Sequence, residues 1–222
     1  MAKVMKAQGG YLVSQGGQYL LVSLTCLLLG GLVALVFHPL LGLIAIPLAT
    51  YFLDRYARYR KGWTGEQEVI QALLSLDDSY YIVHDAPLSG ANIDHIVLGP
   101  NGIFVLETKH FSGRVTCEGD RWWINQREIS SPSLQAKCNA ARARSQISRF
   151  EQTLLKEFPP APWVHAVVVL SNSQAKIMLH SPTVIVARVG DLAQKITATP
   201  SVRLPSAALT KMGLALMGMR EE

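Results

Sequence analysis

The sequence predicts an α/β domain behind an N-terminal transmembrane helical hairpin. Three observations carry that reading. Two uncharged apolar runs, Tyr19–Phe37 and Leu40–Leu53, lie ahead of the first acidic residue, Asp54. The stretch Asn92–Lys109, NIDHIVLGPNGIFVLETK, has the composition of two buried strands joined by a tight turn. Amphipathic helical patterns stand on both sides of it. The expected division is a membrane hairpin over residues 1–61 and a folded domain over residues 62–222, whose last strands and helices occupy 163–220.

The first apolar run has 19 residues, about 28 Å as a helix, which matches the hydrocarbon thickness of a bilayer. His38-Pro39 breaks it. The second run is short, but extended over 39–56 it can cross with some thinning, with Tyr51 and Tyr56 at the interface. Lys3 and Lys6 precede the pair; Arg55, Arg58, Arg60 and Lys61 follow it. Positive charge at both ends places both termini on the cytoplasmic side. A cleaved signal peptide is the rival reading; the second run and the lack of a small-residue cleavage site argue against it.

Charged residues are 17% of the 222, below the roughly 25% of soluble chains. From Asp54 onward there are 19 basic and 16 acidic residues, a balance of +3. This mild excess is compatible with a polyanionic partner without demanding one. Cys26, Cys117 and Cys138 are odd in number and show no CxxC spacing. A zinc site or disulfide framework is not expected.

In chain order, Thr64 with Gln67 reads as a capping box opening a helix to about Leu76. Val69, Ile70, Leu73 and Leu76 mark its core face, and Glu66 shares that face while Glu68 points to water. The plain reading of Glu66 is stabilisation by the helix dipole. Tyr80–His84 is a strand, followed by an irregular link, Asp85–Ala91. The pair around Gly99-Pro100-Asn101-Gly102 comes next, then a second hairpin, Gly113–Cys117 and Trp122–Asn125. Trp122 and Trp123 either cap the sheet or stack on bases. Pro132 opens a helix to about Phe158, stopped by Pro159-Pro160-Ala161-Pro162. One stripe of it is apolar (Ala140, Ala143, Ile147, Phe150, Leu154). Another carries Gln135, Asn139, Arg142, Gln146 and Arg149, flanked by Lys137 and Arg144. This polar stripe is either a solvated surface or a phosphate-tracking face. Val164–Leu170 and Val184–Ala187 are strands, a short helix runs to about Ile196, and Pro205–Met219 is the last helix.

The strand pair carries Asp94, Glu107 and Lys109, and burying such charges costs several kcal/mol or more without partners. Glu107 and Lys109 share one face, being two apart. If Leu98 pairs with Ile103, Asp94 stands opposite Glu107 on that face; a three-residue loop would slip the register and part them. Two opposed carboxylates call for a divalent cation between them or for an internal salt bridge to Lys109. His84 and His95 are read as structural residues near this place.

With Gly65-Glu66, Asn92-Ile93-Asp94-His95, Gly99-Pro100-Asn101-Gly102-Ile103, Glu107-Thr108-Lys109, Gly113 and Gln135 in view, the chain resembles the nuclease-related domain (NERD) family over about 62–149. That family is similar to the PD-(D/E)xK nucleases, so the resemblance implies a restriction-endonuclease-like αβββαβ core with a central mixed sheet. Ile93 stands where the wider superfamily has its proline. Carried over by position, Asp94, Glu107 and Glu66 are the expected Mg²⁺ or Mn²⁺ ligands, Lys109 the catalytic lysine, and Gln135 the later-helix glutamine of the site. Lys137, Arg142 and Arg149 are the expected nucleic-acid contacts. The implied protein is a nuclease, with DNA as the expected substrate, at the bacterial inner membrane with its domain facing the cytoplasm. The alternatives are an idle nucleic-acid-binding or scaffold module of the same fold, or a protein-binding domain on a membrane anchor.

Overall fold

The computed structural model describes residues 1–6, 11–88, 91–151, 163–200 and 204–217. Two compact units divide the chain: residues 1–9 with 65–222, and residues 10–64.

The smaller unit holds α1 (Tyr11–Val36), the single-turn α2 (Pro39–Gly42) and the first part of α3 (Ala45–Leu73). His38 caps α2: its Nδ1 accepts from Leu40 N–H at 3.3 Å. Small residues let the two long helices approach. A Cβ on Gly30 would sit 2.3 Å from that of Ala45, and one on Gly42 would sit 2.5 Å from that of Ala34. Ser23 donates its hydroxyl to Ala49 O at 2.9 Å, and Tyr19 stacks on Phe52 and Tyr59. Hydrogen bonds and close backbone contact of this kind hold helices together where water gives no hydrophobic drive. The outward side is leucine-rich: Leu28 is 75% and Leu35 85% exposed. Two helices, Ser14–Val36 and Pro39–Leu73, are long and apolar enough to cross a membrane.

Thr64 is not a cap. α3 runs through it without interruption, and its hydroxyl donates to Arg60 O one turn back, a bond open to a mid-helix threonine.

The larger unit is mixed α/β. Its main sheet has strand order β1-β2-β3-β4-β8-β10, formed by Lys3–Lys6, Tyr81–Leu88, Ala91–Gly99, Gly102–Lys109, Val164–Leu170 and Ile185–Arg188. β2, β3 and β4 are antiparallel neighbours; β4, β8 and β10 are parallel; β1 lies parallel to β2. One face packs on α4 (Pro132–Glu151) and α6 (Ser206–Leu216) through Ala143, Ile147, Leu209 and Met212. The other packs on Val69 and Leu73 of α3 and on α5 (Leu192–Ala198) through Leu192 and Ile196. Burial on both faces is why β4 reads as an unbroken apolar run.

A second sheet, order β7-β6-β5-β9, comprises Arg127–Ile129, Arg121–Ile124, Arg114–Glu118 and Lys176–His180. Trp122 is fully buried in its core and donates its indole N–H to Ser133 at 2.9 Å. It caps the sheet and cannot stack on a base. Trp123 carries the Arg121 guanidinium over its ring. Strand structure also replaces most of the expected irregular link after His84: β2 continues to Leu88, with Asp85 at φ +48° inside it. The proline run 159–162 and the ends of the helices expected to reach Phe158 and Met219 lie outside the described residues.

Candidate active site

The β3–β4 turn sets the register. Gly99 pairs with Gly102 and Leu98 with Ile103, as the sequence leads one to expect. Each turn residue has a physical role. A Cβ on Gly99 would fall 2.2 Å from the Tyr80 ring, and Gly102 takes φ +136°. The Asn101 amide donates to Ile196 O (2.6 Å), which also accepts Thr199 N–H, and to Thr199 O (3.2 Å) just past α5, so the turn is tied to the end of that helix. Tyr80 donates its hydroxyl to Asn101 Oδ1 at 3.0 Å.

At the far end of this pair the ladder stops at His95–Leu106, one position short of Asp94 and Glu107. There the Asp94 carboxylate takes the place of a backbone acceptor: Thr108 N–H donates to its Oδ2 at 2.8 Å. Glu107 is buried, 3% exposed. Lys109 Nζ donates to its Oε1 at 2.6 Å and Asn139 Nδ2 to its Oε2 at 3.0 Å. Asn139, itself buried on α4, is held in turn by Arg142, whose Nη1 donates to Asn139 Oδ1 at 2.8 Å.

Burial, and then the charge of Glu107, pushes the Asp94 carboxyl up to about 7; the Thr108 amide and Lys109 pull the other way. Glu66 enters from α3. Gly65, beside it, lets the helix close on the sheet end, since a Cβ there would lie 2.4 Å from Ser171 Oγ. Glu66 is half-buried and Glu68 exposed, as the helical spacing implies. Burial, then Asp94, Asp85 and Glu107, raise the Glu66 carboxyl to about 8. Four acids from four different stretches thus share one field, with Lys109 bonded to one of them.

The other expected residues are placed differently from one another. Gln135 is exposed, and among the described residues no hydrogen bond links its side chain to the acids. The α4 side chain that reaches Glu107 is Asn139, one turn later. Lys137 is ion-paired with Asp120 at 2.8 Å, Arg142 is bonded to Asn139, and Arg149 is exposed. His84 and His95 meet across β2 and β3 with their Nδ1 atoms 2.9 Å apart, one donating and one accepting. Burial, then His84, pushes His95 down to about 3. The pair is neutral, on the face of the sheet opposite to that of Asp94. Two contributors escape a sequence reading. Asn139 is visible there only as a member of the polar stripe of α4. Asp85 is a charge in an apolar strand, in a left-handed conformation that Asp tolerates.

Among the described residues no three His, Cys, Asp or Glu side chains are gathered as a ready ligand set. The donor chemistry nevertheless suits a hard cation: carboxylate oxygens on two facing strands, with protonation favoured by burial and then by mutual repulsion. Mg²⁺ is commonly held by one or two carboxylates, water and a substrate phosphate, so Asp94 and Glu107 suffice in number.

The profile of the nuclease-related domain (NERD) family matches residues 61–171, which include every acid of this cluster, Lys109 and Asn139. An uncharacterized protein of Bacillus anthracis is 35% identical over 85 residues, 36% of this chain and 40% of the relative. The chain therefore spans less than half of that relative's length. No solved structure matches. With the match covering half of its length, the chain belongs to the nuclease-related domain family.

Proposed function

We propose that this protein is a membrane-anchored, divalent-metal-dependent nuclease that hydrolyses phosphodiester bonds, with DNA as substrate. The observation that carries the reading is the convergence of Asp94, Glu107 and Lys109 at one end of the central sheet, Lys109 Nζ lying 2.6 Å from Glu107. The succession α3, β2, β3, β4, α4, β8 supports an αβββαβ core of the restriction-endonuclease-like type.

Asp94 and Glu107 would hold Mg²⁺ or Mn²⁺, with Glu66 as a further ligand directly or through water. When bound, the ion supplies polarisation of the scissile phosphate and a water of lowered pKa. Lys109 would orient an attacking water and offset charge on the phosphate. Asn139 keeps the Glu107 carboxylate in one orientation, and the buried His84–His95 pair forms a rigid, uncharged floor under β3. The apolar helices would anchor the chain. Because β1 and the rest of the sheet belong to one unit, the chain leaves that unit and returns to it, as two crossings would require. Flanking Lys3, Lys6, Arg58, Arg60 and Lys61 favour the cytoplasmic side of a bacterial inner membrane.

A second reading rests on the same contacts. Both oxygens of Glu107 are engaged, by Lys109 and Asn139, as in a structural ion pair of an idle nucleic-acid-binding module. Cleavage of labelled DNA by the detergent-solubilised full chain separates the two. The nuclease requires Mg²⁺ or Mn²⁺ and loses about 10²-fold or more of its rate in Lys109→Ala. Equal behaviour of wild type, Asp94→Ala, Glu107→Ala and Lys109→Ala would leave only the idle module.

A further inference from the structure

Where the second sheet begins, a polar cleft of about 600 Å³ is lined by Gly113, Arg114, Asn125, Gln126, Gln174 and Lys176. Arg114 and Lys176 are partners in the parallel register of β5 and β9, so their side chains stand side by side on one face. Both are exposed, and among the described residues neither pairs with an acid. Like charges directly opposite on adjacent strands are destabilising; an anion bound between them reverses the sign of that interaction.

The cleft has a fixed shape. Arg114 N–H donates to Asn125 Oδ1 at 2.9 Å, Asn125 N–H to Arg114 O at 2.8 Å, and Lys176 N–H to Gly113 O at 2.9 Å. Gly113 takes φ +88°, where a Cβ would lie 2.5 Å from Asn125 Oδ1. Arg188 braces the far wall through Ser173 O (3.1 Å) and Ala175 O (2.7 Å). The cleft is also tied to the carboxylate cluster. The segments leaving β4 and β8 run together: Ser171 N–H donates to Lys109 O at 3.1 Å, and Asn172 donates to Ser112 at 3.2 Å. Arg114 is five residues past Lys109, a reach of at most about 17 Å. At about 3.4 Å per nucleotide along one strand, that is within roughly five nucleotides.

We propose that Arg114 and Lys176 form a phosphate subsite that grips the backbone of a nucleic-acid strand lying across the carboxylate cluster. Gln126 and Gln174 supply neutral donors to the same oxygens or the adjoining sugar. Of the α4 cations, Lys137 and Arg142 are less available to a phosphate, since Lys137 is held by Asp120 and Arg142 by Asn139. This assignment rests on the nucleic-acid reading of the site, and its test keeps the two separable.

The test is binding of a fluorescent DNA 20-mer to the full chain in neutral detergent with EDTA, followed by anisotropy from 50 to 200 mM KCl. Wild type binds with a steep salt dependence. Arg114→Ala/Lys176→Ala binds more weakly, and its slope of log affinity against log salt is shallower by about 1 to 2. Arg114→Lys/Lys176→Arg keeps the wild-type slope. Wild-type affinity and slope in the double alanine variant overturn the subsite while leaving the nucleic-acid reading in place. Absence of wild-type binding at 50 mM salt overturns both. Loss of binding to phosphatidylglycerol vesicles in the double variant, with DNA binding unchanged, overturns the subsite in favour of a lipid headgroup.

Discussion

Among the described residues, Asn139 supplies the one hydrogen bond from α4 to Glu107, the carboxylate proposed above as a metal ligand. In Asn139→Ala the buried Glu107 Oε2 loses its donor. Loss of such a supporting bond weakens metal affinity by about 10- to 100-fold, read by Mn²⁺ titration, while far-UV circular dichroism stays unchanged. The acids also set a pH dependence. Asp94 and Glu66 are raised from 3.8 and 4.5 to about 7 and about 8. Their folded forms bind protons more tightly than their unfolded ones, so this contribution is fully present below about pH 4 and is lost as pH rises to about 8. In EDTA, melting temperature therefore falls from about pH 6.5 to 8; below that range the buried His95, held down to about 3, contributes with the opposite sign and offsets the acids. Asp94→Asn flattens the fall, and Mn²⁺ reverses it at pH 8. Melting curves of wild type and variant, with and without the ion, check this.

The elements are positioned by close approaches that glycine permits. Gly65→Ala places a methyl group 2.4 Å from Ser171 Oγ and pushes α3, with Glu66, off the sheet end. Overpacking of this kind costs about 1–3 kcal/mol, and a lowered melting temperature measures it. Asn101→Ala removes the side-chain donor to Thr199 O and one of the two donors to Ile196 O. It should cost a similar amount, about 1–3 kcal/mol, with α5 the first element to exchange amide hydrogens. Much at this scale is legible in the sequence. The strand pair and its register follow from the Gly99–Gly102 turn and the apolar runs on either side of it, and the inward Glu66 from helical spacing. What is illegible has identifiable reasons. Lys3–Lys6 is short, and its partner β2 lies more than 70 residues away, beyond any local pattern. β9 is exposed along nearly its whole length, so it has no hydrophobic alternation to read. Thr64 is chemically a good cap, but the helix continues through it because α3 is anchored on both sides by packing that propensity does not see. Asn139 and Asp85 join the site only through the tertiary fold.

At the scale of the whole molecule, the N-terminal strand and the domain after the apolar helices form one sheet. Ala2 is buried in the same core as Leu73 and Ile82. Deleting residues 1–6 bares the edge of β2 and lowers the melting temperature of the larger unit, although nothing in the carboxylate cluster is removed. The same arrangement requires β1 and α6 to lie on one side of any membrane the chain crosses twice. Reporters fused to each terminus should agree, and the positive flanks predict that both report cytoplasm. The family match spans the acids and the lysine together. The geometry adds that the acids are buried and crowded enough to favour protons, a condition a divalent cation would relieve.

Electron paramagnetic resonance of Mn²⁺ titrated into the full chain at pH 8 tests this most directly. Wild type should bind the ion saturably, and both Asp94→Asn and Glu107→Gln should lose at least about tenfold in affinity. Identical Mn²⁺ binding by wild type and both variants would contradict a metal held between the two strands.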